Sequence, residues 1–296
     1  MLSQIHQALK AGVAVPYLGP GVLALVPQAS RPPANPIELV ARLTASSNVP
    51  HKLRNNLSAT AQFIENFKHR KSVVQLMNAA FATPCAPTAL HTMLSGLPQL
   101  PLIVHAWYDD LCHHALRHRA SWGTVQGVSQ AEHGGEWTRA YDRNGQLVGE
   151  AGTMGNGVAV RGPVPEAAEA AQWSTLLYEP IGSVAPAGNY VVSDSDYVEV
   201  MTEIDIQTPI PEQVRNRRVG RNFLFLGCRF NTQIERIMAF EIAKRSSDRH
   251  WVVLAETPTQ NELRFMQLYN IGRLDMPLDE FVRASQAALA EATLAV

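Results

Sequence analysis

Three short segments carry residue types that can do chemistry at the end of a β-strand. In the first, the apolar run Val13-Ala-Val-Pro-Tyr-Leu18 leads into Gly19-Pro20-Gly21-Val22. Glycines there let backbone approach a phosphate, and free N–H groups can cradle one. Pro20 removes one of those donors, and a tight strand-to-helix turn is the plainer reading of the same residues. The second segment, Leu100 to Asp110, is a buried-type strand ending in His105-Ala-Trp107-Tyr-Asp109. The third, Asn222-Phe-Leu-Phe-Leu-Gly227-Cys228-Arg229, is a β-prone run ending in glycine. In open α/β sheets ligands sit at carboxyl ends of strands near a topological switch point, so these three ends mark the expected cleft.

Four further groups compete for attention. Cys112, His113, His114 and His118 cluster; His114 and His118 are four apart and share a helix face that could hold a metal. Arg117 and Arg119 interleave and no metal-motif glutamate follows, so a solvated helix face is expected and no metal or zinc site is assigned. The basic run Arg215-Asn-Arg-Arg-Val-Gly-Arg221 could meet phosphates or an acidic partner; with a net charge of −1 it reads as a solvated loop. Cys228 has no base readable beside it and is expected to be a buried structural thiol. Trp122, Trp137 and Tyr141 either form a small core or anchor an interface.

These residues must be held by elements, and the pattern supplies them. The 296 residues are 46% hydrophobic, enough for one large domain or one domain with an insert. No apolar run approaches the ~20 residues of a membrane helix, no signal-peptide pattern opens the chain, and three scattered cysteines fit a reducing compartment; a cytoplasmic protein is expected, with neither membrane nor nucleic-acid partner. Leu2, Ile5 and Leu9 give an amphipathic helix. Helices are also expected at 37–43, 57–69, 72–81, 232–245, 259–269 and 278–291. Strands are expected at 175–178, 189–192, 222–227 and 251–255, with a helix start at Ser193 to Tyr197. Between 121 and 165 glycine is dense, and alternation around Asn144-Gly145 signals a hairpin. This segment reads as a glycine-rich β insert within a larger domain formed by 1–120 and 166–296. Buried strands alternating with helices give an α/β fold: a Rossmann-like, doubly wound parallel sheet with helices on both faces.

In order and spacing the segments resemble the prokaryotic sirtuin-like domain family, particularly its defence-associated branch. Tyr17-Leu-Gly-Pro-Gly-Val-Leu23 is similar to the opening strand and Gly-Ala-Gly-Val-Ser. Pro87-Thr-Ala-Leu-His91 with Leu94, then Ile103-Val-His-Ala-Trp-Tyr-Asp109, resembles the Pro…His…Leu helix and the strand ending Thr-Thr-Asn-Tyr-Asp. Pro180-Ile-Gly-Ser183 with Asp196-Tyr197 resembles Leu-His-Gly-Ser and Asp-Tyr. Phe225-Leu-Gly-Cys-Arg229 resembles Phe-Leu-Gly-Tyr-Ser, and Leu278-Asp-Glu-Phe281 the closing helix. The resemblance implies NAD or ADP-ribose in a cleft around Gly19, Gly21, Val22, Trp107, Asp109, Gly182, Gly227 and Cys228, and homo-oligomerisation.

The departures bear on activity. Trp107 stands where the family has the Asn that positions a water or ribose hydroxyl, and Ile181 where it has the catalytic His; an aliphatic side chain moves no proton. Asp109 matches the family's Asp and could still hold a ribose hydroxyl or the strand-end backbone. The expectation is a catalytically degenerate sirtuin-like protein, a pseudoenzyme that binds a nucleotide or a protein partner without turnover. Two alternatives stand beside it. One is an active NAD hydrolase or transferase using displaced groups, with His133 (in the His133-Gly134 pair) or His105 as candidates; the other is a pure protein-interaction scaffold.

Overall fold

The computed structural model describes residues 1–129, 131, 137–148, 168–206 and 210–293. Helix α1 (Leu2–Lys10) buries Ile5, Ala8 and Leu9. Strand β1 (Ala14–Leu18) is buried at every position and turns through Gly19 into a 3-10 segment, Pro20–Leu25. Helix α2 (Pro36–Thr44) starts where the Asn35 side chain accepts the Glu38 N–H at 2.9 Å, the usual N-cap device. Helix α3 (Leu57–Ala80) is broken at His69, whose φ of 68° and ψ of 158° are not helical. It is therefore two pieces, close to the expected 57–69 and 72–81. Helix α4 (Ala89–Ser95) opens with a capping box between Thr88 and His91.

Next come β2 (Leu102–His105), α5 (Leu111–Leu116), β3 (Trp122–Gly127), β4 (Thr138–Asp142) and β5 (Leu147–Val148). After them lie α6 (Ala168–Gln172), β6 (Thr175–Glu179), β7 (Gly182–Ser183), β8 (Asn189–Tyr190), α7 (Asp194–Ile206) and α8 (Glu212–Arg218). The chain closes with β9 (Asn222–Leu226), α9 (Gln233–Ala243), β10 (His250–Val253), α10 (Gln260–Leu268), β11 (Ile271–Leu274) and α11 (Leu278–Thr293).

Nine of these strands form one sheet in the order β11-β10-β9-β1-β2-β6-β3-β4-β5. All neighbours pair in parallel from β11 to β3; β4 and β5 add antiparallel at the edge. Side chains alternate across such a sheet, and both faces are covered. Val15, Tyr17, Val104, Phe223 and Phe225 enter one core with Leu39, Met77 and Ile242 from α2, α3 and α9. Ala14, Leu18, Ile103, Leu224 and Leu226 enter a second with Leu9, Leu94, Leu116 and Phe281 from α1, α4, α5 and α11. The fold is the doubly wound α/β arrangement expected from the alternation of buried strands and helices.

Three local readings differ from the expectation. The strand expected at 189–192 is only Asn189–Tyr190, and it pairs with β7 in a separate two-stranded sheet. Within 121–165, β3 is an interior strand that pairs in parallel with β6; the expected hairpin follows as β4 and β5, with Asn144-Gly145 in its turn and Gly145 at φ 78°. The basic run is not a solvated loop: Arg218 is 5% exposed and donates to the carbonyls of Glu241 (2.9 Å) and Ile242 (2.6 Å). Arg217 donates to Trp173 O at 2.7 Å and Arg221 to Gly12 O at 2.9 Å. These guanidiniums tie α8 to neighbouring carbonyls and are not directed at a ligand. Among the described residues, no helix is long and apolar enough to cross a membrane.

Candidate functional site

The connection after β1 runs to β2 on one side, while β9 joins on the other. The switch point therefore lies at the carboxyl ends of β9, β1 and β2, and a cleft of about 230 Å³ opens there. Every strand end contributes: Gly19 and Pro20 after β1, Ala106 to Tyr108 after β2, Ile181 after β6, and Cys228 to Phe230 after β9. The N-terminal ends of α2, α3 and α9 close it from above through Pro36, Asn55 to Ser58, and Thr232, Ile234 and Glu235.

The glycines meet one another instead of a ligand. Gly19 N–H donates to Leu226 O and Gly21 N–H to Gly227 O, both at 2.9 Å; Val22 N–H turns back to Gly19 O at 3.2 Å. A Cβ at Gly19 would lie 2.6 Å from Gly227 O, and one at Gly21 2.8 Å from the same atom. Pro20 has no N–H. The β1 and β9 turns are thus packed backbone on backbone, and the amides counted on as a phosphate cradle are engaged. This is the strand-to-helix turn that stood as the plainer alternative.

Trp107 is 3% exposed, and its indole N–H donates to Pro33 O at 2.7 Å. It packs edge-on against Phe81, at 6.1 Å between ring centroids, and beside Tyr108 at 5.0 Å. An indole anchored at both its N–H and its ring does not swing aside. Ile181 joins it in the wall, and among the described residues no histidine lines the cleft. Cys228 is buried, and its Sγ reaches Tyr17 O and Leu226 O at 3.5 Å. Burial pushes its thiol up, so it is the inert structural thiol expected.

Of the residues the resemblance placed around the ligand, Gly19, Trp107 and Cys228 line the cleft. Gly21, Val22 and Gly227 form the packed backbone behind it, while Asp109 and Gly182 are absent from its wall. Gly182, at φ 77°, serves the β7–β8 pairing. His133 and Gly134 lie outside the described residues. Tyr17, Tyr197, Phe230 and Glu235 join the wall without having been singled out as site residues. Thr232 and Glu235 also form the capping box that starts α9: Thr232 N–H donates to Glu235 Oε2 at 3.1 Å.

His105 belongs to a different cluster because of strand parity, and Asp109, from the loop after β2, joins it there. Val104 faces the core beneath the cleft, so His105 faces the opposite side, with Glu179 and Gln126. There His105 Nε2 lies 3.2 Å from Asp109 Oδ2, and Nδ1 lies 3.4 Å from Glu179 Oε1. Glu179 Oε1 also meets His113 Nε2 at 3.1 Å, and its Oε2 accepts from Gln126 at 3.1 Å. Gln126 Oε1 accepts from Asn189 at 2.8 Å. Burial opposes charge on His105, but Asp109 and Glu179 outweigh it and raise its pKa to about 10. Burial likewise opposes the two carboxylates, and the histidines hold both below their ordinary values. Asp109 also accepts the Leu111 N–H, at the start of α5, at 3.1 Å.

The neighbouring histidines diverge. His113 turns to Glu179 and His114 to Asp110 at 3.2 Å, while Cys112 is buried in the core. Among the described residues no three His, Cys, Asp or Glu side chains are grouped to hold a metal ion.

His91 and His250 make a pH prediction. Burial lowers both from 6.5 to about 4, and each nitrogen that would take the proton is engaged: His91 Nδ1 with Thr88 Oγ1 at 2.8 Å, His250 Nδ1 with the Phe223 N–H at 3.0 Å. The unfolded chain takes up two protons near pH 6.5 that the folded chain refuses until about 4. Stability present above 6.5 is therefore lost as the pH falls across that window. Urea midpoints measured between neutral pH and 4 are expected to fall, and His91→Gln to flatten that fall.

A family model described as SIR2-like domain matches residues 101–273. That span exceeds half of the chain, and it holds the β2, β6, β9 and β10 strand ends: this protein belongs to the SIR2-like domain family. A solved structure described as "Structural Basis for the Mechanism and Regulation of Sir2 Enzymes" is similar at 12% identity, covering 98% of each chain with a TM-score of 0.40. That likeness is too distant to transfer residue roles. No curated protein matches the sequence.

Proposed function

We propose that this chain is a catalytically silent member of its family, of the defence-associated kind its motifs resemble, which seats the ring end of a nucleotide of NAD or ADP-ribose type without turnover. The observation that carries this reading is the cleft wall at the two positions the resemblance makes catalytic. Trp107 is locked there by its bond to Pro33 O, and Ile181 offers no proton acceptor. General-base catalysis requires a titratable group within hydrogen-bond reach of the proton it removes. Of the titratable groups in the wall, Tyr17, Tyr108, Tyr197 and Cys228 are pushed further up by burial, the Glu235 carboxylate is engaged by the Thr232 N–H of its own helix cap, and His105 lies on the other side of the sheet. The volume, about 230 Å³, is below the roughly 300–1,000 Å³ usual for small-molecule pockets. Together with the engaged glycine amides, it suits a ring and not a whole dinucleotide.

A second reading, a protein-binding scaffold, is favoured by the same small volume. Calorimetric titration with NAD and with ADP-ribose separates the two: heat of binding supports the nucleotide reading, and its absence with both ligands favours the scaffold. In the same assay the double variant Trp107→Asn, Ile181→His is expected to gain NAD affinity by about tenfold or more, because the indole leaves the cleft. Unchanged affinity in a folded double variant would mean that Trp107 is not what narrows the site.

A further inference from the structure

We infer that the cleft is a receptor for a small, weakly hydrated organic cation, a methylated ammonium head group, held by an aromatic wall with one carboxylate. This role rests on the reading of the cleft as a ligand site without turnover and changes the chemistry the site selects. Tyr17, Trp107 and Tyr197, backed by the fully buried Tyr108 and Phe230, line a cavity of about 230 Å³. Ring faces attract cations most strongly where water is excluded, and quaternary ammonium ions are the ligands such walls serve. Phosphate has no counterpart here, since the Gly19 and Gly21 amides are bonded to Leu226 O and Gly227 O.

Charge points the same way. Glu235 lines the cleft, and its carboxylate raises the proton affinity of Tyr17, Tyr197 and Cys228, which places its field on the cavity. Among the described residues Glu235 has no ion-pair partner; it is held by its own cap, Thr232, and burial raises its pKa above the ordinary value, an effect a bound cation would oppose. The cation in the wall, Arg229, is committed to Glu262 through two bonds of 2.9 and 3.2 Å. The cleft therefore offers one carboxylate outside any close ion pair among the described residues, with Arg229 and Arg236 acting on it only from a distance, a feature that a bound cation completes. The volume fits a head group of a few carbons, with the rest of a longer ligand left outside.

The test titrates the full chain with tetramethylammonium, choline and 3,3-dimethylbutan-1-ol, the neutral isostere of choline, following heat and tryptophan fluorescence. Choline is expected to bind at least about tenfold more tightly than the neutral isostere. Glu235→Gln is expected to weaken choline about tenfold and leave the isostere unchanged; glutamine keeps the capping pattern, so the helix start survives. Trp107→Leu should abolish the fluorescence response, and Glu235→Gln carries the test if that variant does not fold. Equal affinity for choline and its isostere, or no cation binding at millimolar concentration, overturns the inference. NAD or ADP-ribose binding without cation binding would also overturn it and leave the nucleotide reading standing. Cation binding with neither nucleotide bound supports it and removes the nucleotide from the proposed function.

Discussion

Gly227→Ala is expected to destabilise the protein by about 3–5 kcal/mol, a fall in Tm on the order of 10 °C. Two independent costs add at this residue. Its φ of 64° lies in the left-handed region, where a Cβ is strained. The same Cβ would fall against the backbone of the β1 turn, 2.8 Å from the Gly21 carbonyl carbon and closer still to Val22 N. Backbone cannot rotate away as a side chain can, so the β9 end must retreat and the bond from Gly21 N–H to Gly227 O must lengthen. Thermal unfolding followed by circular dichroism reads the effect. Gly220→Ala is the control: φ there is 71° but nothing lies within 4 Å of its Cβ, so only the conformational cost, on the order of 1 kcal/mol, should appear. Equal shifts for the two variants would mean that backbone packing between the turns contributes nothing.

The second large effect is expected from His105→Leu. The imidazole sits between Asp109 and Glu179, each 3% exposed or less. Removing it leaves Asp109 buried without its nearest cation and Glu179 with His113 alone. Truncating one partner of a buried ion pair costs about 3–5 kcal/mol, because the remaining charge is uncompensated. The pH dependence identifies the cause. In the wild type the His105 pKa is raised, so its contribution is full below 6.5 and lost as the pH rises toward about 10. In the variant the orphaned carboxylates take up protons more readily. The stability gap from wild type should then narrow as the pH falls below neutrality. A gap that stays constant with pH would assign the loss to packing alone.

Much of the fold could be read from the chain because its signals are local. Apolar runs at 14–18, 222–226 and 250–253 are strands buried on both faces, and runs of that kind belong in a covered parallel sheet. Asn144-Gly145 needed only its own turn geometry to declare a hairpin. What failed was non-local. No pattern in Asn189–Val192 says that β8 pairs with β7 and not with the main sheet. Nor does anything in 122–127 say that β3 lies beside β6, a strand that comes after β4 and β5 in the chain. Ile271–Leu274 went unread because Gly272 and Arg273 interrupt its apolar character on the sheet's edge.

The site divided along the same line. The three strand ends converge because parallel strands in register put their carboxyl ends together. Which strand side chains face the cleft depended on parity; His105 fell on the far side, and Asp109, in the loop beyond β2, turns to it. The glycine turns looked like a phosphate cradle in sequence, since spacing cannot show that Gly19 and Gly21 donate to the β9 turn. Arg215 to Arg221 looked solvated because its acceptors are carbonyls far away in the chain, at Gly12, Trp173 and Ile242.

The central claim, a Sir2-like cleft without Sir2-like turnover, is tested most directly by incubating the purified protein with NAD and measuring free nicotinamide over time. The account predicts release no faster than in a protein-free blank, at every pH where the protein stays folded. Nicotinamide release that scales with protein concentration would contradict it, and would mean that a group outside the described wall performs the chemistry.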